Sequence, residues 1–438
     1  MRSLSLITVF YFVISFVKAQ PAVNIISELK TISSTVTATP CNTGHGMIIS
    51  NRAMNLFLSN TTGYYLSDVN DLSFYKNSVL INSAKGTLAV NHNFFQPKGS
   101  DEQVRSFLVV GAKANVVNTY AATFSDKQFS NEFGFTIKQT WIGKINTYFS
   151  SCEKKQSMDA QRAAVLYSLE TEIKRKDADF ENTLNSIQPS DVPGQLPDTV
   201  KAQLREKFYS DLKKEYTRKF AELQSSALLE TKDYSLIRTN WTSISTYIPL
   251  FPQHFTVAES FTNNFESKHA YPWEFTISHT RFWESKKAGR IFLSLRAGVF
   301  LNNSTQSHDL FKTNFTEYKG LGGADTLSSE NSNSSEMYIG LYKIFFTPVA
   351  GLQLVYFPGG SHIGASCMVE QNFGSYNSFN GTIGMPVVLI DKKDDPVANF
   401  EFRVRYFDIS NNIMPGKKWS DKLSVELTAG IPLSKIIY

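Results

Sequence analysis

The chain is poor in cysteine, in net charge and in long apolar runs, and each shortage excludes something. Three widely spaced cysteines among 438 residues, Cys41, Cys152 and Cys367, define no disulfide framework, although one pair could form in an oxidising compartment. Cys41 and His45 could be drawn as two metal ligands, but no second pair at zinc spacing follows, so no metal site is expected. Lys and Arg number 44 against 39 Asp and Glu, a net charge of +5. The basic residues form no stripe interleaved with aromatics, so nucleic acid is not an expected partner. After the first twenty residues no segment is apolar enough to cross a bilayer as a helix.

Catalytic motifs are missing as well. There is no GxSxG elbow, P-loop, HExxH or dinucleotide fingerprint, so hydrolase, nucleotide and zinc-protease readings have no support. Ser278-His279 and Ser361-His362 place serine beside histidine, yet neighbours on a strand point to opposite faces and cannot act as nucleophile and base. Asp101, Glu102, Asp391, Asp394 and Asp395 fall in apparent turns, where solvated acids are ordinary. No catalytic residue and no cofactor is expected, and the chain reads as a non-enzyme.

What is abundant is aromatic: 34 Phe, 19 Tyr and 5 Trp, residues that pack well on pleated sheets. They recur with period two. In PVANFEFRVRYFDI, Phe400, Phe402, Val404 and Tyr406 share one parity while Asn399, Glu401, Arg403 and Arg405 share the other. Ile291, Leu293, Leu295, Ala297, Val299 and Leu301 oppose Ser294, Arg296 and Gly298, although Phe292 and Phe300 sit on the second face. Leu423, Val425, Leu427, Ala429 and Ile431 oppose Ser424, Glu426, Thr428 and Gly430. Between residues 235 and 265 the apolar residues hold no single parity for long. Turn signals such as Phe357-Pro358-Gly359-Gly360 and a long Asn/Ser/Gly-rich excursion over 302–336 separate the runs. The count comes to about ten to fourteen strands.

One region departs from this pattern. Residues 157–187 and 199–229 are rich in Lys, Glu, Ala, Leu and Gln and flank SDVPGQLPDT, which predicts a helical hairpin. Leu166, Leu169, Ile173, Phe180, Leu184 and Ile187 make one apolar stripe, and Leu204, Phe208, Leu212, Tyr216 and Phe220 the other. At the N-terminus, Arg2, an apolar run over Leu6–Val17 and Val17-Lys18-Ala19 predict an export signal cleaved after Ala19.

Alternation alone fits either a soluble sandwich with a dry core or a barrel with lipid outside. Several runs extend for nine to twelve residues. Ten residues at about 3.3 Å each, tilted by about 40°, span an apolar band of about 25 Å, whereas soluble strands average about five or six residues. Aromatics also gather near run ends, as in Tyr271, Trp273, Phe282 and Trp283, or Phe345, Phe346, Tyr356 and Phe357, like interfacial girdles. In these features, and in its terminal Tyr438, the chain resembles the outer-membrane β-barrel proteins of Gram-negative bacteria. Gln20, following the signal, suggests the Bacteroidota type.

The resemblance implies an all-β fold, an antiparallel up-and-down transmembrane barrel with an inserted α-helical hairpin. Its expected organisation is a signal peptide over 1–19, a partly irregular N-terminal segment with possible first strands over 20–85, and first barrel strands over 86–150. The helical hairpin insertion then covers 151–232, and the remaining strands cover 233–438, with the last pairing ending near Ile431. Lys113, Lys138, Arg296, Glu401, Arg403, Arg405 and Glu426 would point into the barrel, and Leu293, Leu295, Phe400, Phe402, Val404 and Leu427 toward lipid. The expected setting is the outer membrane, with its lipid as one partner and a protein partner at the hairpin. The expected role is porin-like passage of small solutes or surface interaction. The alternatives are a secreted or periplasmic soluble binding protein and, more remotely, a barrel enzyme.

Overall fold

The computed structural model describes residues 22–63, 75–82, 87–94, 101–117, 120–121, 124–125, 128–129, 133–186, 198–260, 264–305, 310–317, 333–391 and 396–435. The expected signal peptide and its cleavage site lie outside them.

Twelve strands form a closed antiparallel barrel: β1 (Tyr75–Asn82), β2 (Thr87–Asn93), β3 (Ser106–Val117), β4 (Gly134–Ile142), β5 (Tyr234–Pro249), β6 (Glu274–Ser285), β7 (Gly289–Asn303), β8 (Ile344–Phe357), β9 (Ala365–Asn372), β10 (Ser378–Ile390), β11 (Pro396–Tyr406) and β12 (Leu423–Lys435). Each pairs with its neighbours in chain order, and β12 pairs with β1 to close the ring, so no wall edge is left to aggregate. β12 runs past the expected end near Ile431, and Lys435 still pairs with Tyr75. Pro432 sits opposite Ser78, and the register slips just beyond it, between Ser78 and Tyr75. Proline lacks the N–H a regular ladder needs, so the seam is irregular there without ending.

β8 shows which side of the wall is which. Over its fourteen residues Ile344, Phe346, Pro348, Ala350, Leu352, Leu354 and Tyr356 are exposed, while Thr347, Val349, Gln353, Val355 and Phe357 are buried. At about 3.3 Å per residue and a tilt near 40° the strand covers roughly 35 Å along the barrel axis, enough for an apolar band of about 25 Å. Ile383, Met385 and Leu389 continue the exposed face on β10, Phe402 and Val404 on β11, and Val425 and Leu427 on β12. The buried parity carries Thr280, Ser294, Asn380, Glu401, Arg403 and Glu426. In a soluble sandwich this order would be inverted.

The barrel ends differ. At one end, which also carries the helical insertion between β4 and β5, three connections are short: Lys286–Ala288 between β6 and β7, Pro358–Gly364 between β8 and β9, and residues 391–395 between β10 and β11. Gly289 makes the first of these possible, since its φ of +87° suits glycine and a Cβ there would fall 2.1 Å from the Phe357 carbonyl oxygen. At the other end two long loops contribute Gln253–Ala258, Glu266–Ala270, Phe311–Glu317 and Asn333–Ile339 to a separate four-stranded sheet.

Four helices gather at the short-turn end: α1 (Ala22–Thr37), α2 (Asn51–Thr62), α3 (Cys152–Ser186) and α4 (Asp198–Thr231). The inserted hairpin is α3 and α4, joined by Phe180–Phe208 stacking at 3.8 Å and by ion pairs Lys219–Glu172 at 2.6 Å and Arg205–Glu181 at 2.7 Å. Leu169, Ile173, Leu212, Tyr216 and Phe220 from the two stripes are buried; Leu204 is exposed, and Ile187 lies outside the described residues. α1 completes a three-helix cluster by laying Ile25, Ile26, Leu29 and Ile32 on that same surface. Residues 22–62 are thus mainly helical, where partly irregular chain with possible first strands was expected. The run of Ser and Thr in α1 lowers helix propensity, but the Thr31, Thr35 and Thr37 hydroxyls bond back to carbonyls one turn earlier.

Candidate functional site

The lumen is filled at two levels by different chemistry. At the short-turn end α2 lies inside the wall. Its start is fixed by Ser50, whose hydroxyl accepts from the Ala53 amide at 3.3 Å, and by Asp101, whose carboxylate accepts from the Arg52 amide at 2.9 Å. A helix buried on one side would show one apolar stripe; in α2 Ala53, Met54, Asn55, Leu56, Phe57, Leu58, Ser59, Thr61 and Thr62 are all buried. Phe57, fully buried, joins one apolar cluster with inward-facing Trp241, Phe282, Phe292, Val355, Phe357 and Val388, contributed by five strands. Tyr234 meets Phe57 edge-on at 5.7 Å and donates to Glu284 at 2.9 Å, and Glu284 pairs with Arg290 at 2.6 Å.

Polar groups on α2 find specific partners. The Asn55 amide donates to the Glu102 carbonyl at 2.8 Å while its oxygen accepts from the Val104 amide at 3.1 Å. Asn399, on β11, donates to the Gly63 carbonyl just past the helix end. Burial raises the Asp101 carboxyl above the usual aspartate range, against the opposing pull of the Arg52 and Asn51 amides.

The linker between α1 and α2 is held by one face of α3. Cys41 is disulfide-bonded to Cys152, Lys155 reaches the Thr37 carbonyl at 3.5 Å, and Arg162 donates to the Ile48 carbonyl at 3.0 Å and the Thr37 hydroxyl at 2.8 Å. Asp159 pairs with both cations. Residues 152, 155, 159 and 162 follow the three-and-four spacing of a single helix face. Cys41 is therefore spent on the disulfide, and Cys367 is free.

Beyond the α2 layer the wall fills its own interior. Arg296 and Arg405 converge on Glu370, the latter at 3.3 Å; Arg403 pairs with Glu401, which also accepts from Ser366 at 2.5 Å; Glu426 stands opposite Arg403 in register. Arg296, Arg403 and Arg405 balance Glu370, Glu401 and Glu426, so the cluster is neutral. Glu401 is 1% exposed and Glu426 5%, values that leave no wide aqueous passage beside them. Buried charges at this density persist only when paired.

The structure brings Arg296, Glu401, Arg403, Arg405 and Glu426 into this cluster. Lys113 and Lys138 are separate, on β3 and β4, the third and fourth strands beyond β12. Lys113 lies 4.5 Å from the Tyr247 ring and 3.8 Å from Glu274, and Lys138 shares the inward parity of Thr136 and Thr140. Leu295, Phe402, Val404 and Leu427 are exposed on the outer wall, with Leu293 and Phe400 half-buried on the same parity. Three aromatic assignments are corrected: Phe282 and Phe357, grouped with the girdles from sequence, face inward and pack the lumen, and Phe345 shares the inward parity of Phe357 on β8, while Trp283, Phe346 and Tyr356 remain outside. Sequence reasoning missed Glu370 and α2, and it read Asp101 as a solvated turn acid, where the carboxylate instead accepts from the first turn of α2 and is raised by burial. Glu370 sits in SCMVEQN, where no clean alternation marks it.

At the long-loop end Asp408 organises the β11–β12 connection. Burial alone would raise its carboxyl, but the amides of Met414, Asn412 and Ile413 and the Ser410 hydroxyl hold it below the ordinary range. Lys422 donates to the Asp408 carbonyl at 3.0 Å and lies 3.6 Å from its carboxylate.

No family model matches the sequence, and no curated protein matches it. Among solved structures it is similar to the β domain of the Bordetella autotransporter BrkA, at 8% identity over 81% of this chain and 94% of that one, with a TM-score of 0.23. It is also similar to a loop L8 deletion mutant of OmpT, an outer membrane protein of Vibrio cholerae, at 5% identity over 82% of this chain and 96% of that one, with a TM-score of 0.21. The assignment rests on the wall itself: with closed antiparallel pairing, an exposed apolar belt and a buried polar interior, the chain has the fold of an outer-membrane β-barrel of twelve strands carrying an inserted helical segment.

Proposed function

We propose that this protein is a sealed barrel of the outer membrane that acts non-catalytically through the structures at its two ends. The observation that carries this reading is the doubly filled lumen: α2 against an apolar wall layer, then a neutral cluster of six charged side chains. Either layer alone narrows the lumen, and together they oppose free diffusion of solutes. In barrels of this class short turns face the periplasm and long loops the exterior. That rule puts α1, α3 and α4 on the periplasmic side as the docking platform for a protein partner. The opposite end, with exposed Tyr271, Phe311 and Leu341, becomes the surface for external contacts.

The second reading, gated passage, has one observation in its favour: α2 is a separate segment, not a part of the wall. Planar-bilayer conductance separates the two. Wild-type protein is expected to show no steady ohmic channel, whereas a variant lacking residues 22–63 should show at most small, flickering conductance because the charged cluster remains. A steady large conductance from the wild type would overturn the sealed reading and favour passage.

A further inference from the structure

The outer wall near the short-turn end breaks the apolar belt. β4 reaches Ile142, the chain kinks through Gly143, Lys144 and Ile145, and a short strand, Asn146–Phe149, resumes pairing with β5. Ile142 opposes Trp241 and Asn146 opposes Arg238, so the kink inserts one extra residue, a bulge. Gly143 is needed there, because a Cβ would fall 1.9 Å from the Asn240 side-chain oxygen.

The bulge opens a cleft of ≈ 300 Å³ lined by Lys144, Asn146, Arg238, Asn240, Arg281 and Trp283. Arg238 and Arg281 lie on the outward parity of β5 and β6, opposite in direction to buried Trp241 and Phe282. The Arg238 guanidinium lies over the Tyr148 ring, 5.2 Å from its centre. Among the described residues none of the three cations forms an ion pair. Everywhere else on the wall the arginines are inside and matched to carboxylates; here three cations share a concave outer site with two side-chain amides and no acid. Trp141 and Trp283 on the same outer face mark the depth at which headgroups begin.

We propose that this cleft binds the phosphate of an anionic membrane phospholipid, with Arg238 and Arg281 donating to the phosphate oxygens, Lys144 adding charge, and the acyl chains lying along the apolar wall toward Ile244 and Ile277. Arginine suits this role because its planar fork matches phosphate geometry. The bulge creates the space, and the interfacial tryptophans set the depth. The proposal rests on the reading of the wall as lipid-facing.

The test uses the purified full chain in neutral detergent, with lipid retention read by native mass spectrometry and by the shift in melting temperature. The probes are phosphatidylglycerol, phosphatidylcholine and inorganic phosphate. Wild type is expected to retain phosphatidylglycerol over phosphatidylcholine. Arg238→Gln and Arg281→Gln should each weaken retention about fivefold, and the double variant more strongly. Arg296→Gln, inside the lumen, should leave retention unchanged, which separates loss of the cleft from general destabilisation. Equal binding of both lipids, full retention by the double variant, or displacement of lipid by millimolar phosphate would each overturn the assignment. Detergent dependence and the heat-induced gel shift of a closed barrel are recorded on the same preparation. If these persist while lipid selectivity is absent, the cleft proposal fails and the membrane reading stands.

Discussion

The two layers that fill the lumen solve one problem in opposite ways. At the short-turn end the wall turns apolar side chains inward and brings in a helix from outside the barrel sequence to cover them. Farther along, the wall supplies arginines and glutamates that satisfy one another. The first layer is stabilised by burial of apolar surface and the second by pairing of buried arginines with Glu370 and Glu401. The difference teaches that a wall strand is not uniformly polar inside: its inner face changes character where another segment is to be received.

This contrast predicts unequal responses to substitution. Phe57→Ala removes the centre of the apolar layer and should cost about 3–5 kcal/mol in denaturant unfolding, as large-to-small changes in packed cores do. Leu295→Ala on the exposed outer face should cost far less, because it leaves no cavity between packed protein groups. Glu370→Gln leaves Arg296 and Arg405 without their carboxylate and should cost about 3 kcal/mol. Replacing Glu370, Arg296 and Arg405 together by leucine should recover most of that loss. If the triple replacement were as damaging as the single one, pairing would not be what stabilises this layer.

Removing the disulfide sharpens the comparison. Cys41→Ser with Cys152→Ser opens a loop whose ends are 111 residues apart and should cost about 2–4 kcal/mol. Hydrogen exchange is expected to rise over residues 38–50 and α2, and to stay unchanged around Glu401 and Arg403. Uniform acceleration across both layers would mean that they unfold as one unit.

The smallest effect concerns pH. Asp101 has a raised carboxyl in the folded protein, so its favourable contribution is complete below the ordinary aspartate range near about 3.9 and is lost as pH rises through the folded value. Asp101→Asn should therefore gain on the wild type in melting temperature at neutral pH, with the gap narrowing on acidification.

The wall was legible in the sequence wherever an exposed apolar face lay on one side and a buried polar face on the other, as at Phe402, Val404, Glu401 and Arg403. It blurred where α2 is received. Between residues 235 and 265 parity appeared lost, yet β5 is one sixteen-residue strand: Ile237 and Trp241 face the lumen while Ile244 and Ile248 face outward. Phe292 looked misplaced on its polar face for the same reason, since it packs the inner cluster. A period of two cannot report a strand that is apolar on both sides. α2 itself was hidden because its partners are distant wall residues, and its Asn, Ser and Thr are buried in bonds that no local pattern reveals.

The central claim is that the apolar parity of the wall faces lipid while the polar parity faces a filled lumen. Nitroxide side chains placed singly along residues 349–356 of β8, in a Cys367→Ser background that keeps the disulfide, test it most directly. Collision with lipid-soluble oxygen should be high at 350, 352, 354 and 356. At 349, 351, 353 and 355, collision should be low with both oxygen and a water-soluble nickel chelate. High nickel accessibility at the odd positions would reveal an open aqueous lumen, and loss of the alternation would contradict the lipid-facing wall.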